Sequence, residues 1–114
     1  MIEAIVYQHM KTALNERGIQ CYMTRPEDVT DQYVLIEKTG GSETNHVKRS
    51  TFAFQSYAPE LLQASVINEL VKEVAATLVE ETEVYGSRYS TDYNFTDTAS
   101  KQYRYQAVFD IYHY

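Results

Sequence analysis

The amino-acid sequence predicts an α+β domain in which two helices pack on one face of a mostly antiparallel sheet of four to five strands. Three observations carry that expectation. The closing segment Lys101–Tyr114 alternates with a period of two, with Tyr103, Tyr105, Ala107, Phe109 and Ile111 on one side and Gln102, Arg104, Gln106 and Asp110 on the other. That is the spacing of a strand. Two other segments, one at the start of the chain and one after Pro59, repeat apolar residues every three or four positions, as a helix with one buried face does. The resulting order is helix, three strands, helix, two strands, which places hairpins on both sides of the second helix.

The first helix follows from Ile2, Val6, Met10 and Ala13, flanked by Ile5 and Leu14, and reaches to about Arg17. Gly18 stops it, because glycine takes the left-handed conformation without a Cβ clash. His9 lies near the stripe and reads as a packed, hydrogen-bonded side chain. Ile19–Met23 is a short strand ended by Arg25-Pro26, and its Cys21 reads as a reduced structural thiol. The polar stretch 27–32 is a loop whose acids face solvent. Tyr33–Lys38 is a strand with a nearly continuous apolar middle, the pattern of a strand covered on both faces. Gly40-Gly41-Ser42-Glu43-Thr44-Asn45 reads as a turn or longer loop. The strand His46–Tyr57 then places Phe52 and Phe54 with Ser50 and Lys48, and turns Arg49, Thr51 and Gln55 the other way.

Ala58-Pro59-Glu60 opens the main helix with Pro and an acid at its start, where the unpaired amides and positive dipole end favour them. It runs to about Val79, with Ala64, Ile67, Leu70, Val71, Val74, Ala75 and Leu78 turned to the sheet. Leu62 and Val66 sit one turn apart on a different side and are candidates for contact with another subunit. Glu80-Glu81-Thr82-Glu83 puts acids at the helix exit, where it frays. Val84 to about Tyr93 is the next strand, and Gly86 near its start signals a bulge or a close backbone approach. A polar loop over 94–100, with an exposed Phe95, leads into the closing strand.

At 114 residues the chain makes one domain, 1–114, large enough for a core. Its composition, 44% hydrophobic and 23% charged, excludes disorder and coiled coil. A net charge of −6 and a pI near 4.9 disfavour a general grip on nucleic acid or on an anionic membrane. Eleven Tyr and no Trp suit half-buried strands and subunit contacts. No apolar run approaches the roughly 18 residues that span a bilayer, and the Met-Ile-Glu-Ala start carries no basic region or cleavage site. His9, His46 and His113 have no metal-ligand spacing, no Gly-x-Ser-x-Gly occurs, and Gly40-Gly41 lacks the helix and Lys of a phosphate loop. The expectation is therefore a protein without catalytic residues, metal or cofactor.

The run Tyr33-Val-Leu-Ile-Glu-Lys-Thr-Gly-Gly-Ser42, the strand Ser50-Thr-Phe-Ala-Phe-Gln-Ser-Tyr-Ala58 followed at once by a long helix, and Asp92-Tyr-Asn-Phe-Thr-Asp-Thr98 before Lys101-Gln-Tyr-Arg-Tyr-Gln-Ala-Val-Phe-Asp-Ile111 carry a resemblance. Together they resemble the small tail-completion proteins, tail terminators or head-tail joining components, of long-tailed bacteriophages and prophages of Gram-positive bacteria. The resemblance covers most of the chain and rests on structural strings rather than chemical signatures. It implies a ring, usually a hexamer, that caps the tail tube, halts its growth and meets the head-neck connector protein. The protein is then made in the bacterial host cytoplasm and ends in the virion, with no membrane partner. DNA passes through without specific binding, which an acidic lumen favours. The expected subunit and ring contacts are Leu62 and Val66, the loop carrying Gly40 and Gly41, and Tyr93 and Phe95, with the Tyr-rich strand edges available for strand addition. Two alternatives stay open: another neck or head-completion protein of the same virion, and a small α+β enzyme or ligand-binding domain with a pocket between helix and sheet.

Overall fold

Alternation in the closing segment produces an interior strand of the sheet. A computed structural model describes residues 1–27, 31–97 and 102–114. Its elements are α1 (Ile2–Asn15), β1 (Gln20–Tyr22), β2 (Tyr33–Thr44), β3 (Val47–Ala58), α2 (Leu61–Ala76) continued by a 3-10 turn over Thr77–Glu80, β4 (Val84–Asn94) and β5 (Tyr103–His113). The five strands lie in the order β1-β2-β3-β5-β4, antiparallel except for the parallel pair β1–β2. The strand that closes the chain is thus sandwiched between β3 and β4. Both helices cover one face, as the two apolar stripes require.

The core lies between helices and sheet. Val6, Met10 and Leu14 from α1 and Ala64, Ile67, Val71 and Ala75 from α2 meet Val34, Ile36, Phe52, Phe54, Ala107, Phe109 and Ile111 from the sheet. Leu70 and Val74 pack against its edge. Phe54 and Phe109 touch edge to face at 5.9 Å, a geometry that adds about 0.5–1.5 kcal/mol to their area burial. The helix termini behave as their residues dictate. Gly18 has φ +78, and Ile19 and Arg17 amides both donate to the Leu14 carbonyl, closing α1. Glu60 is extended at φ −127, ψ 145 and its carbonyl accepts the first α2 bond, from Ala64 N at 3.0 Å. At the far end the acids over 80–83 do not continue the α-helix, which tightens into the 3-10 turn instead.

One boundary differs from the sequence expectation. Residues 40–44 are not a loop: β2 stays paired with β3 as far as Thr44 opposite Val47, interrupted only by a bulge between Lys38 and Gly40. The turn falls instead on Asn45 and His46, with φ 52 and 66. Twelve residues in each strand satisfy backbone groups that a loop would leave to water. Gly86 does mark a close approach. The β4–β5 register shifts between Val84 and Gly86, and a Cβ there would stand 3.2 Å from Tyr112 Cδ2. The expected loop over 94–100 begins later and stays attached: Phe95 N donates to the Arg104 carbonyl at 2.8 Å. Residues 98–100 of that loop, with Lys101 and residues 28–30 of the loop over 27–32, lie outside the described residues.

Candidate functional site

Helical periodicity turns Leu62 and Val66 away from the core, and they are 74% and 60% exposed. With Glu69 and Glu73 they form one solvent-facing stripe along the back of α2, at spacings of four, three and four residues. Gly40 and Gly41 are brought to a different place, the outer edge of β2 just past its bulge. A Cβ on Gly41 would meet the Arg49 carbonyl at 3.1 Å, whereas Gly40 faces open space. Tyr93 and Phe95 sit at the end of β4 with rings edge to face at 5.7 Å. The Arg104 guanidinium lies 4.3 Å over Phe95. The six expected contact residues therefore divide among the helix back, a sheet corner and the sheet face opposite the helices.

That opposite face is the largest feature sequence reasoning left unassembled. Its lower half holds a second cluster of Tyr33, Leu35 and Tyr57, with the Tyr33 and Tyr57 rings stacked at 4.6 Å. A directional chain of hydrogen bonds crosses three strands above it. Arg104 donates to the Tyr57 hydroxyl, Tyr57 donates to Gln55 Oε1, Gln55 Nε2 donates to Gln106 Oε1, and Gln106 Nε2 donates to the Tyr93 hydroxyl. The upper half carries small side chains, with Ala53, Val108 and Thr91 opposite one another across β3, β5 and β4 and Thr51 opposite Asp110 in the next row. No helix lies over it, and Arg49, Arg88, Glu37 and Thr91 are exposed there. Strand alternation alone predicts which residues share this face. What no sequence pattern supplied was the partner order, β3 beside β5 beside β4.

Four groups carry titratable or nucleophilic side chains. Cys21 is 3% exposed in β1, and burial pushes its thiol up to about 12, so it is a poor nucleophile at neutral pH. It is also far from His113. Cys21, Val34, Ser56 and Tyr105 form one cross-strand row, and His113 stands eight residues further along β5, about 26 Å at strand rise. His113 instead meets Ser50: its Nδ1 donates to the Tyr114 carbonyl at 3.1 Å, leaving Nε2 to accept from the Ser50 hydroxyl at 2.8 Å. Both side chains are under a tenth exposed, and the bond ties the end of β5 to β3. His9 is hydrogen-bonded as expected, with Nδ1 2.7 Å from Glu81 and Nε2 2.8 Å from Thr77 Oγ1. It fastens α1 to the turn after α2.

The fourth group, Asn68, Lys72, Tyr89 and Asp92, spans α2 and β4 and had no signal in spacing. Asp92 accepts from the Tyr89 hydroxyl, from Asn68 Nδ2 at 2.7 Å and from Lys72 Nζ at 3.0 Å. The Tyr89 hydrogen bond, then Lys72 and Asn68, hold the Asp92 carboxyl below its ordinary value against the opposing effect of burial. Hydrogen bonds from Lys72 to Glu69 and Asp92 raise the ammonium. Satisfied on three sides, Asp92 acts as a bracket between helix and sheet.

Two open clefts flank the upper end of the molecule. One, of about 560 Å³, runs along α1 beside Ile5, His9, Ala13 and Glu83. The other, of about 520 Å³, lies beside the β2–β3 corner at Lys38, Gly41, Lys48 and His113. Neither lies between a helix and the sheet, where a ligand-binding domain of this architecture would place its pocket. Among the described residues no three His, Cys, Asp or Glu side chains form a metal-sized group, and no helix is long and apolar enough to cross a membrane. Compared with known proteins, the chain matches no protein-family model and no curated protein.

Proposed function

We propose that this chain is a structural protein of a phage virion that assembles into a ring, six copies by the resemblance, capping the tail tube and joining it to the head-neck connector. The observation that carries the reading is the pair Leu62 and Val66 on the back of α2, 74% and 60% exposed on a helix whose other side fills the core. An exposed aliphatic pair on a helix that already has a full core face supports a partner surface there. His9 and His113 are held in structural hydrogen bonds and the Cys21 thiol is buried, which supports work done by shape. A net charge of −6 supports a channel through which DNA slides without being held.

Native mass spectrometry across concentration, with and without the tail tube protein, tests the ring. Monomer at every concentration in both conditions rejects it. Negative-stain images of particles made without the gene test its place: tails of uncontrolled length support the terminator, whereas normal free tails beside empty heads support the neck protein. Turnover of a small molecule by purified protein would reject both in favour of an enzyme.

A further inference from the structure

The back of α2 and the open sheet face lie on opposite sides of the molecule and complement each other in charge. The stripe Leu62, Val66, Glu69, Glu73 covers eleven helical steps, about 17 Å. The row of small side chains on the open face, Ala53, Val108 and Thr91, crosses β3, β5 and β4, two strand spacings or about 10 Å, with Glu37 at its β2 end. Ala53 and Val108 form the apolar floor, the row Thr51 and Asp110 separates it from Arg49 and Tyr112, and Gln55 and Gln106 flank its other side, by the register of β3 and β5. The aliphatic end of the helix stripe fits the floor, and its acidic end reaches the β4 side, where Arg88 stands opposite Asp110.

Charge supports the match. Residues 1–18 and 59–83, which form the helix layer, hold eight carboxylates against Lys11, Arg17 and Lys72. Of the five arginines, Arg49, Arg88 and Arg104 belong to the open face by register, and Arg25 lies 5.8 Å over the Tyr57 ring on that side. Arg49 and Arg88 make no ion pair among the described residues, and neither does Glu73. Glu37 and Asp110 on the same face, with the net charge of −6, disfavour a polyphosphate as the occupant.

Resting on the ring reading above, we infer that the occupant is a second copy of this chain: the back of α2 of one copy seats on the open sheet face of the next. Because the two surfaces differ, the contact is heterologous, and it propagates head to tail until the rotation closes it. The free sheet edges contribute less. β4 carries register shifts at 84/86 and 89/91, and β2 one at 38/40, and such bulges interrupt strand addition.

Two exposed residues test this by charge exchange. Glu73→Arg and Arg88→Glu are prepared separately, with circular dichroism melting to show that each monomer folds as the native chain does. Each variant alone is expected to need about tenfold or more protein to form rings than the native chain does. Mixed one to one, they are expected to restore rings in which the variants alternate, since every junction then pairs Glu with Arg or Arg with Glu. Rings formed by either variant alone at native concentrations overturn the inference and leave the ring reading standing, as does a mixture that stays monomeric while the native chain assembles. Native rings unaffected by Arg88→Glu but weaker in duplex DNA retention place nucleic acid on this face and also overturn it. A native chain that never assembles, even beside the tube protein, removes the ring reading itself.

Discussion

Asp92 shows how a single carboxylate holds two layers together, because donors from α2 (Asn68 and Lys72) and from β4 (Tyr89) converge on it. Its folded value lies below the ordinary 3.8, so its contribution to stability is complete above that value and is lost as pH falls through the lower folded one. Asp92→Asn is expected to destabilise at pH 7 and to flatten the acid limb below about pH 4, read by urea unfolding at stepped pH. An unchanged acid limb would show that the bracket carries no weight. Cys21 makes the opposite kind of prediction. Its buried thiol, raised to about 12, is expected to resist iodoacetamide at neutral pH in the folded chain and to label fully in urea. Rapid labelling without denaturant would reject the structural role.

The long hairpin β2–β3 depends on a two-residue turn whose residues both have positive φ, Asn45 at 52 and His46 at 66. Asn tolerates that region and His does so at a cost, since each non-glycine residue held there gives up roughly 1–2 kcal/mol. His46→Gly is expected to raise stability by about 1 kcal/mol, measured as a shift in urea midpoint without a change in slope. This turn also shows where the sequence was opaque. Gly40-Gly41 carries the stronger local turn signal, yet pairing with Ser50 and Thr51 keeps both glycines in the strand and spends their flexibility on a bulge. By contrast the helix stripes, the faces of β5, the Gly18 stop and the Gly86 approach were legible, because each depends on periodicity or on one residue's own conformational range. The Asn68–Asp92 bracket and the Gln55–Gln106–Tyr93 chain were not, because both depend on which strands become neighbours. Leu62 and Val66 are legible from helical spacing, but the open face of the sheet exists only once β3, β5 and β4 stand side by side.

At the scale of the whole molecule, the chain is longer than a sphere of its size. Its radius of gyration is 13.8 Å and its extents 44 × 27 × 23 Å, against a radius of about 13 Å expected for a compact domain of this length. The excess comes from the corner of β2 and β3 above Lys38, where neither face is covered and residues 39–49 are all exposed. An elongated sheet with helices on one side only presents two unlike surfaces, one acidic with an aliphatic stripe and one an open sheet face on which Arg49 and Arg88 make no ion pair among the described residues. Assembly through them combines a screened term and an unscreened one. Charges a few ångströms apart but open to solvent lose most of their attraction as the screening length falls from about 10 Å at 0.1 M salt to about 3 Å at 1 M. Burial of Leu62 and Val66 is not weakened by salt. If the arginine and glutamate pairs set the register, the protein concentration needed for half assembly is expected to rise by about tenfold between those salt concentrations, read by sedimentation velocity. Assembly that holds or strengthens as sodium chloride is added would assign the contact to the aliphatic stripe alone and reduce the arginines to solvating the sheet face.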